Sequence, residues 1–311
     1  MNSDLPSRLV GRLTDAAFAA GWALVKGLPE SVGAAAFRLI ADVAWWRRGA
    51  GVRQLEANLR RIAPTADLRH LSRQAMRSYL RYWLEVFRLP VLPPERILAD
   101  MHMIDEQRLL DAVAAGKGVI CALPHSGNWD HAGAWAMHRG LQLTTVAERL
   151  QPTSVFDRFV AFRQAMGMEV LALSGGGEVF LNLARRLRAG SLLCLLADRD
   201  LTAGGLEVDF FGEPARMPAG PAALAVATGA ALLPTTLWYD DQGGWGCRIH
   251  PAVEPPASGD RKAKVQAMTQ AVADAFAESL VAHPADWHML QPLWVPDLDP
   301  ARRRHPAGTP A

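Results

Sequence analysis

The sequence lacks a large excess of charge of either sign. Its 311 residues carry 33 Lys and Arg against 31 Asp and Glu, which gives a formal net charge of +2. Domains that bind nucleic acid are usually far more basic, because they must neutralise phosphates. The composition therefore argues against nucleic acid as a partner.

Cysteine is scarce. The three residues, Cys121, Cys194 and Cys247, are too few for a disulfide framework. None is spaced with histidine as zinc ligands are. Cys121 and Cys194 lie within apolar runs, as small buried side chains do in proteins of a reducing compartment. We predict no metal site.

A long hydrophobic run is also missing. The best candidate, residues 16–25, is about ten residues long, whereas a membrane-spanning helix needs about 20. No cleavage pattern of a signal peptide follows it. We interpret the run as an amphipathic or buried helix, and we expect a protein that is soluble or peripheral to a membrane.

What the sequence does have is an uneven distribution of charge. Residues 1–90 carry 14 Lys and Arg against 7 Asp and Glu, a net charge of +7, and the remaining chain carries 19 against 24, a net charge of −5. The basic part also contains Trp22, Trp45 and Trp46, and tryptophan favours the membrane interface. Two interpretations stay open: a solvated helical face, or a surface that contacts an anionic membrane.

The spacing of apolar residues divides the chain into a helical part and an α/β part. Helical periodicity dominates residues 8–90. Further along, helices alternate with six strand-like runs, at 119–123, 141–147, 168–173, 192–197, 232–239 and 246–249. This alternation is typical of a mostly parallel central sheet flanked by helices. We predict a helical, membrane-facing region over 1–100, an α/β core over 101–297 continuous with it, and a disordered tail over 298–311.

Chemistry-bearing residues gather directly after the strand predicted at 119–123. The sequence there is His125-Ser-Gly-Asn-Trp-Asp130, at the carboxyl edge of a strand, where α/β proteins place their sites. A turn followed by a helix can bring Asp130 beneath His125, so that the carboxylate fixes the imidazole tautomer and His125 acts as a general base. The alternative is a structural histidine beside a carboxylate at a helix N-terminus.

This hexapeptide resembles the HxxxxD motif of glycerolipid acyltransferases, in the form typical of the bacterial lipid A late acyltransferase superfamily. The resemblance extends over about residues 5–297. Segments that agree with it are Leu80-Arg-Tyr-Trp-Leu-Glu, Val146-Ala-Glu-Arg, Leu196-Ala-Asp-Arg-Asp, Phe210-Phe-Gly-Glu-Pro-Ala-Arg-Met and His283-Pro-Ala-Asp-Trp-His. Within the superfamily, the chain looks most like the phosphatidylinositol mannoside acyltransferases.

The resemblance implies a glycerolipid acyltransferase-like α/β fold and an acyl-CoA-dependent O-acyltransferase. Such an enzyme would move a long-chain fatty acyl group from acyl-CoA to a mannose hydroxyl of a phosphatidylinositol mannoside. His125 would deprotonate that hydroxyl, and Asp130 would orient His125. The reaction needs no metal, no cofactor and no acyl-enzyme, since acyl-CoA is the donor substrate.

Five further charged residues are candidates for substrate binding. Glu148 could bind sugar hydroxyls or pair with an arginine, and Arg163 could bind the CoA phosphates or pair with Glu148. Asp198 and Arg199 end a strongly apolar strand. A glutamate near Asp198 often contacts the catalytic histidine in the subfamily, and aspartate is one methylene shorter. Arg216, just before a helix, is a candidate anion site.

Other histidines show no partner in the sequence and are interpreted as structural: His131, His138, His250, His283 and His288. We expect peripheral binding at the cytoplasmic face of the cell membrane, through the basic N-terminal helices. Two alternative functions stay open. One is acyl transfer to another membrane lipid, of the lysophospholipid, glycerol-3-phosphate or lipid A type. The other is a non-catalytic lipid-binding membrane adaptor.

Overall fold

The structure is a computed structural model that describes residues 21–22, 24–148, 153–173, 177–200, 204–241 and 243–299. Most of the helix predicted over 16–25 lies outside the described residues. So do residues 300–311 of the predicted tail.

Between residue 30 and the first strand the chain is mostly helical, as the sequence predicts. Its helices are α1 (Glu30–Arg47), α2 (Ala50–Ile62), α3 (Leu68–Arg88) and α4 (Pro94–Ala99). The long helix α3 begins at Leu68 because the Asp67 carboxylate accepts hydrogen bonds from the backbone N–H groups of Arg69 and His70. In the part of the chain that the structure describes, no helix is both long and apolar enough to span a bilayer.

Nine strands follow among the described residues: β1 (Met101–Ile104), β2 (Val119–Leu123), β3 (Leu143–Glu148), β4 (Glu169–Leu173), β5 (Leu192–Leu196), β6 (Leu206–Phe210), β7 (Glu213–Met217), β8 (Ala231–Tyr239) and β9 (Trp245–Ile249). Seven of them form one sheet in the order β1-β9-β8-β2-β5-β3-β4. Every neighbouring pair in it is parallel except β8 and β9. The remaining two, β6 and β7, pair as an antiparallel hairpin.

Helices pack on both faces of this sheet: α5 (Glu106–Ala114), α6 (Trp129–His138), α7 (Thr153–Ala165), α8 (Gly177–Arg188), α9 (Gly220–Thr228) and α10 (Arg261–Ala282). The predicted architecture is confirmed, and all six predicted strands are present within two residues of their predicted ends. The sequence analysis missed β1, which is only four residues long. It also missed the hairpin, where β6 alternates buried and exposed residues and so forms no apolar run.

The central strand β2 is buried along its whole length. Side chains of successive residues point to opposite faces of the sheet. Ile120 and Ala122 therefore join the cluster formed with α8, α9 and α10. Val119, Cys121 and Leu123 join the cluster formed with α6 and α7. This two-sided burial explains why the strand reads as a continuous apolar run.

Parallel pairing brings the ends of β2 and β5 to the same edge of the sheet. Leu123 is in register with Leu196, and the Ala197 N–H donates to the Leu123 carbonyl oxygen at 2.8 Å. Residues two positions beyond each strand therefore emerge side by side. Those residues are His125 and Asp198.

Candidate active site

The turn after β2 is shaped by a glycine. Gly127 has a φ of +55°, and a Cβ atom there would lie 2.8 Å from backbone atoms of Leu237 and Trp238. Only glycine combines that conformation with so close an approach. The turn ends at Asn128, whose side chain accepts a hydrogen bond from the His131 N–H and caps α6. His125 is thereby held at the edge of the sheet, before helix α6 begins.

A buried carboxylate faces this histidine. His125 Nδ1 lies 2.5 Å from Asp198 Oδ1, and the His125 backbone N–H donates to Asp198 Oδ2 at 2.8 Å. The Asp198 side chain is fully buried, whereas that of His125 is 21% exposed. An ionised carboxylate can only accept, so Nδ1 carries the ring proton and Nε2 keeps a free lone pair. This arrangement leaves Nε2 able to accept a proton.

The electrostatics of Asp198 favour its ionised form. Burial alone raises the pKa of this carboxyl. The positive charge available at His125 and the hydrogen bonds from His125 and Trp287 outweigh burial and leave the pKa of Asp198 below its ordinary value. The carboxylate is thus ready to stabilise an imidazolium when His125 takes up a proton.

Asp130 does not contact His125. It accepts two hydrogen bonds from Arg163, from Nε to Oδ1 at 2.6 Å and from Nη2 to Oδ2 at 3.0 Å. The Tyr82 hydroxyl donates to the same Oδ2 at 2.8 Å. The predicted orienting role of Asp130 is therefore wrong. Helix α6 starts at Trp129 and turns the carboxylate towards α3 and α7 rather than back beneath the turn.

The Asp130–Arg163 ion pair is itself buried, with 1% and 15% of the two side chains exposed. Burial lowers the pKa of Arg163, but the charge of Asp130 more than compensates and the pKa is raised overall. Burial, together with the charge of Asp130, also raises the pKa of Tyr82, so the phenol stays a donor. The pair fixes the first turn of α6, including Trp129, whose ring packs 5.5 Å from that of His125.

Two cavities meet at this point. His125 lines the first, of about 300 Å³, together with Trp83, Phe159 and His288. The second, of about 90 Å³, lies between α6 and the sheet and is mainly apolar. They share the lining residues Trp129, Val146, Arg163 and Leu196. His125 therefore stands in a partly polar cavity that adjoins an apolar one.

Comparison with known proteins identifies the family. A model described as bacterial lipid A biosynthesis acyltransferase matches residues 4–295. The chain belongs to this acyltransferase family. It is 48% identical over 299 residues to a phosphatidylinositol mannoside acyltransferase of Mycolicibacterium smegmatis, covering 95% of this chain and 96% of the relative. It is also 48% identical over 306 residues to one from Mycobacterium tuberculosis strain H37Rv, covering 96% and 94%.

Two of the five residues predicted for substrate binding line the cavity that contains His125. Arg163 and Arg199 line it with His125. Glu148 ends β3 directly after Ala147, which also lines the cavity, but the Glu148 side chain lies outside the described residues. The predicted alternatives for Arg163 were CoA phosphates or Glu148; its partner in the structure is Asp130.

Arg216 lies elsewhere in the acyltransferase. It is on β7, buried, and its Nη1 donates to the Gly205 carbonyl oxygen at 3.0 Å. Glu207 Oε2 is 3.8 Å from its Nη2. The guanidinium thus ties the hairpin to the preceding loop, and it does not line the cavity of His125.

The sequence analysis missed the 286–288 segment. The His288 N–H donates to the His125 carbonyl oxygen at 2.7 Å, and Trp287 Nε1 donates to Asp198 Oδ2 at 2.9 Å. His288 is therefore placed beside the site, although its sequence context indicated a structural residue only. The segment His283-Pro-Ala-Asp-Trp-His contains both residues, but in the sequence it indicated only the family resemblance and no place in the site.

Metal ligands are not grouped anywhere in the described ranges, where no three His, Cys, Asp or Glu side chains could together hold an ion. Catalysis without a metal stays a prediction for this acyltransferase. The arrangement of His125 and Asp198 offers general-base chemistry without one.

Proposed function

We propose that this acyltransferase moves a long-chain acyl group from acyl-CoA to a mannose hydroxyl of a phosphatidylinositol mannoside. The observation that carries the proposal is a histidine base, held by a buried carboxylate, in a cavity that adjoins an apolar one. The similar mycobacterial proteins, which are named phosphatidylinositol mannoside acyltransferases, support the acceptor class. Membership of an acyltransferase family weakens the alternative of a non-catalytic adaptor.

The proposed reaction is a direct transfer. His125 Nε2 accepts the proton of the acceptor hydroxyl while the hydroxyl oxygen attacks the thioester carbonyl carbon. The new C–O bond forms, the C–S bond breaks, and the proton passes to the departing CoA thiolate. Asp198 stabilises the imidazolium between these two proton transfers. General-base catalysis of this kind accelerates reactions by about 10²- to 10⁴-fold.

The apolar cavity suits the acyl chain of the donor. It runs between α6 and strands β2, β3 and β5, and residues such as Leu123, Leu143, Met168 and Leu192 line it. Burying methylene groups there is favourable by about 0.8 kcal/mol each. The Asp130–Arg163 pair stands where the two cavities meet, close to where the thioester would lie.

Incubation with palmitoyl-CoA and a panel of acceptors, read by mass spectrometry, tests the proposal. We expect an acylated phosphatidylinositol mannoside from the wild-type protein and none from His125→Ala. His138→Ala is the matched control, because His138 lies exposed at the far end of the same helix α6. Acylation of a lysophospholipid or glycerol 3-phosphate instead would replace the acceptor, and full activity of His125→Ala would reject the base.

We also propose that α1 contacts the membrane. Its outward face, here called the α1 apolar face, consists of Val32, Leu39, Ile40, Val43 and Trp46, of which Leu39 is 65% and Trp46 75% exposed. An exposed apolar patch usually marks an interaction surface. The neighbouring basic residues Arg38, Arg47 and Arg48 favour an anionic surface. The cytoplasmic leaflet fits, since it is both anionic and accessible to acyl-CoA.

Flotation with vesicles that contain anionic phospholipid tests this contact. Leu39→Glu should reduce co-flotation strongly, because a charge is costly where apolar side chains meet lipid. Leu181→Glu is the control, since Leu181 is 58% exposed on α8, away from the α1 apolar face. Equal flotation of the two variants would reject α1 as the contact surface.

A further inference from the structure

The segment that follows α10 is hydrogen-bonded to the turn that carries His125. The Gly127 N–H donates to the Asp286 carbonyl oxygen at 3.0 Å, and the His288 N–H donates to the His125 carbonyl oxygen at 2.7 Å. Between them, Ser126 and Trp287 form an isolated antiparallel bridge. Backbone hydrogen bonds from this segment thus fix the turn that presents His125.

The Trp287 side chain reaches the other member of the catalytic pair. It is fully buried, and its Nε1–H donates to Asp198 Oδ2 at 2.9 Å. The carboxylate therefore uses Oδ1 for the His125 ring and Oδ2 for the His125 backbone and the indole. The indole N–H can only donate, so Trp287 is always the donor and Asp198 always the acceptor in this contact.

We infer that Trp287 is a positioning residue that holds the plane of the Asp198 carboxylate and limits how strongly that carboxylate attracts the proton of His125. The inference rests on the proposed function, in which His125 is the base. A hydrogen bond to Oδ2 draws negative charge away from Oδ1. His125 therefore stays neutral, and able to accept a proton, at a lower pH than it would without the indole donor.

The sign of the expected pH effect follows from this balance. Without the indole donor, Asp198 holds the protonated ring of His125 more strongly, and the imidazolium persists to higher pH. The acid limb of the kcat/KM profile must then move to higher pH. The other titratable groups around the same cavity stay as they are: Tyr79, Tyr82, Asp130, Arg163, Arg199 and His288.

Trp287→Phe tests the inference, with Trp294→Phe as the matched control. Trp294 is equally buried and its Nε1–H donates at the same 2.9 Å, but to the Phe210 carbonyl oxygen. In Trp287→Phe we expect kcat to fall about 10-fold or more, since a hydrogen bond to a charged group is lost. The KM for palmitoyl-CoA should not change, and the acid limb should move up. Trp294→Phe should show neither effect.

A readout independent of acyl transfer separates this inference from the proposed function. Histidine labelled with ¹⁵N, with the His125 signal assigned through His125→Gln, reports the pH at which that ring is protonated. A higher midpoint in Trp287→Phe than in Trp294→Phe supports the inference even if no acceptor is acylated. Equal midpoints and equal acid limbs in the two variants would overturn it while leaving the proposed reaction intact.

A second replacement guards against loss of fold. Exchanging the Trp287 indole for the isosteric benzothiophene puts sulfur in place of N–H and keeps the shape of the side chain. We expect the same upward movement of the His125 midpoint with unchanged thermal unfolding. If this replacement leaves the midpoint where the wild type has it, the indole N–H has no influence on the base and the inference is wrong.

Discussion

Asp198 and Asp130 are both buried at the carboxyl edge of the sheet, and they have different roles. Asp198, at the end of β5, faces a histidine that can gain and lose a proton. Asp130, in the first turn of α6, faces an arginine that stays charged. A carboxylate beside a titrating partner can tune proton transfer, whereas one beside a permanent cation can only hold geometry.

This difference shows that a sequence motif can locate a site correctly and still predict the wrong contact between its residues. Asp130 is five residues from His125 in sequence, and Asp198 is 73 residues away. Asp130 points away from His125 because a helix capped by Asn128 begins between the two residues. The distant one meets it because β2 and β5 are parallel neighbours in register.

The largest expected effect comes from Asp198→Asn. The amide can donate to Nδ1 and so leave the proton on Nε2, where it prevents the ring from acting as a base. We expect kcat to fall about 10³- to 10⁴-fold, as for the equivalent change in serine protease triads. Steady-state assays with palmitoyl-CoA measure it. The comparison would be broken if Asp130→Asn lost more kcat than Asp198→Asn.

Asp130→Asn should act mainly on stability. It leaves the Arg163 guanidinium buried without an anion, and removing one partner of a buried pair costs about 3–5 kcal/mol. Urea denaturation measures the loss, and adding Arg163→Met should recover part of it.

An exposed ion pair is the control for that prediction. Glu30 and Arg96 form one with 58% and 42% of their side chains exposed. Glu30→Gln should cost less than about 1 kcal/mol, because solvent screens the pair. Equal losses for Glu30→Gln and Asp130→Asn would remove the structural role given to Asp130.

Apart from that exposed control pair, the smallest effect concerns a buried group with neither kind of partner. His131 is fully buried, its ring nitrogens make no hydrogen bond to another side chain in the described residues, and its ring stacks 3.7 Å from that of Trp245. Burial lowers its pKa from 6.5 to about 4. As pH falls through this interval, the unfolded chain binds the proton first, so stability is lost on acidification.

His131→Phe keeps the stack and removes that loss. Between pH 7 and pH 5 the wild type should lose about 2 kcal/mol through a residue with a pKa of about 4, and the variant should not. The free energy of unfolding at both pH values, measured by urea denaturation, checks this. Identical pH dependence in the two proteins would mean that His131 has the same pKa in the folded and unfolded chains, and the effect of burial would be disproved.

Local patterns predicted much of the fold, and long-range pairing explains what they missed. Strands such as β2 were predictable because both faces are buried and the run is continuously apolar. The edge position of His125 followed from the strand before it. The contact of His125 with Asp198 did not follow, because local residue patterns do not determine strand order and register. Arg216 showed the same limit: a cation before a helix predicted an anion site, and the hairpin buries it instead.

The wide spacing of the site has a consequence for the protein as it is made. Histidine, carboxylate and indole are supplied by residues 125, 198 and 287, and the last two are 89 residues apart. A nascent chain from which only residues 125 and 198 have left the ribosome still lacks Trp287, so no indole holds Asp198. A fragment that ends before residue 286 lacks both this indole and the backbone hydrogen bonds to the turn of His125, so we expect its rate of acyl transfer to fall further than that of Trp287→Phe.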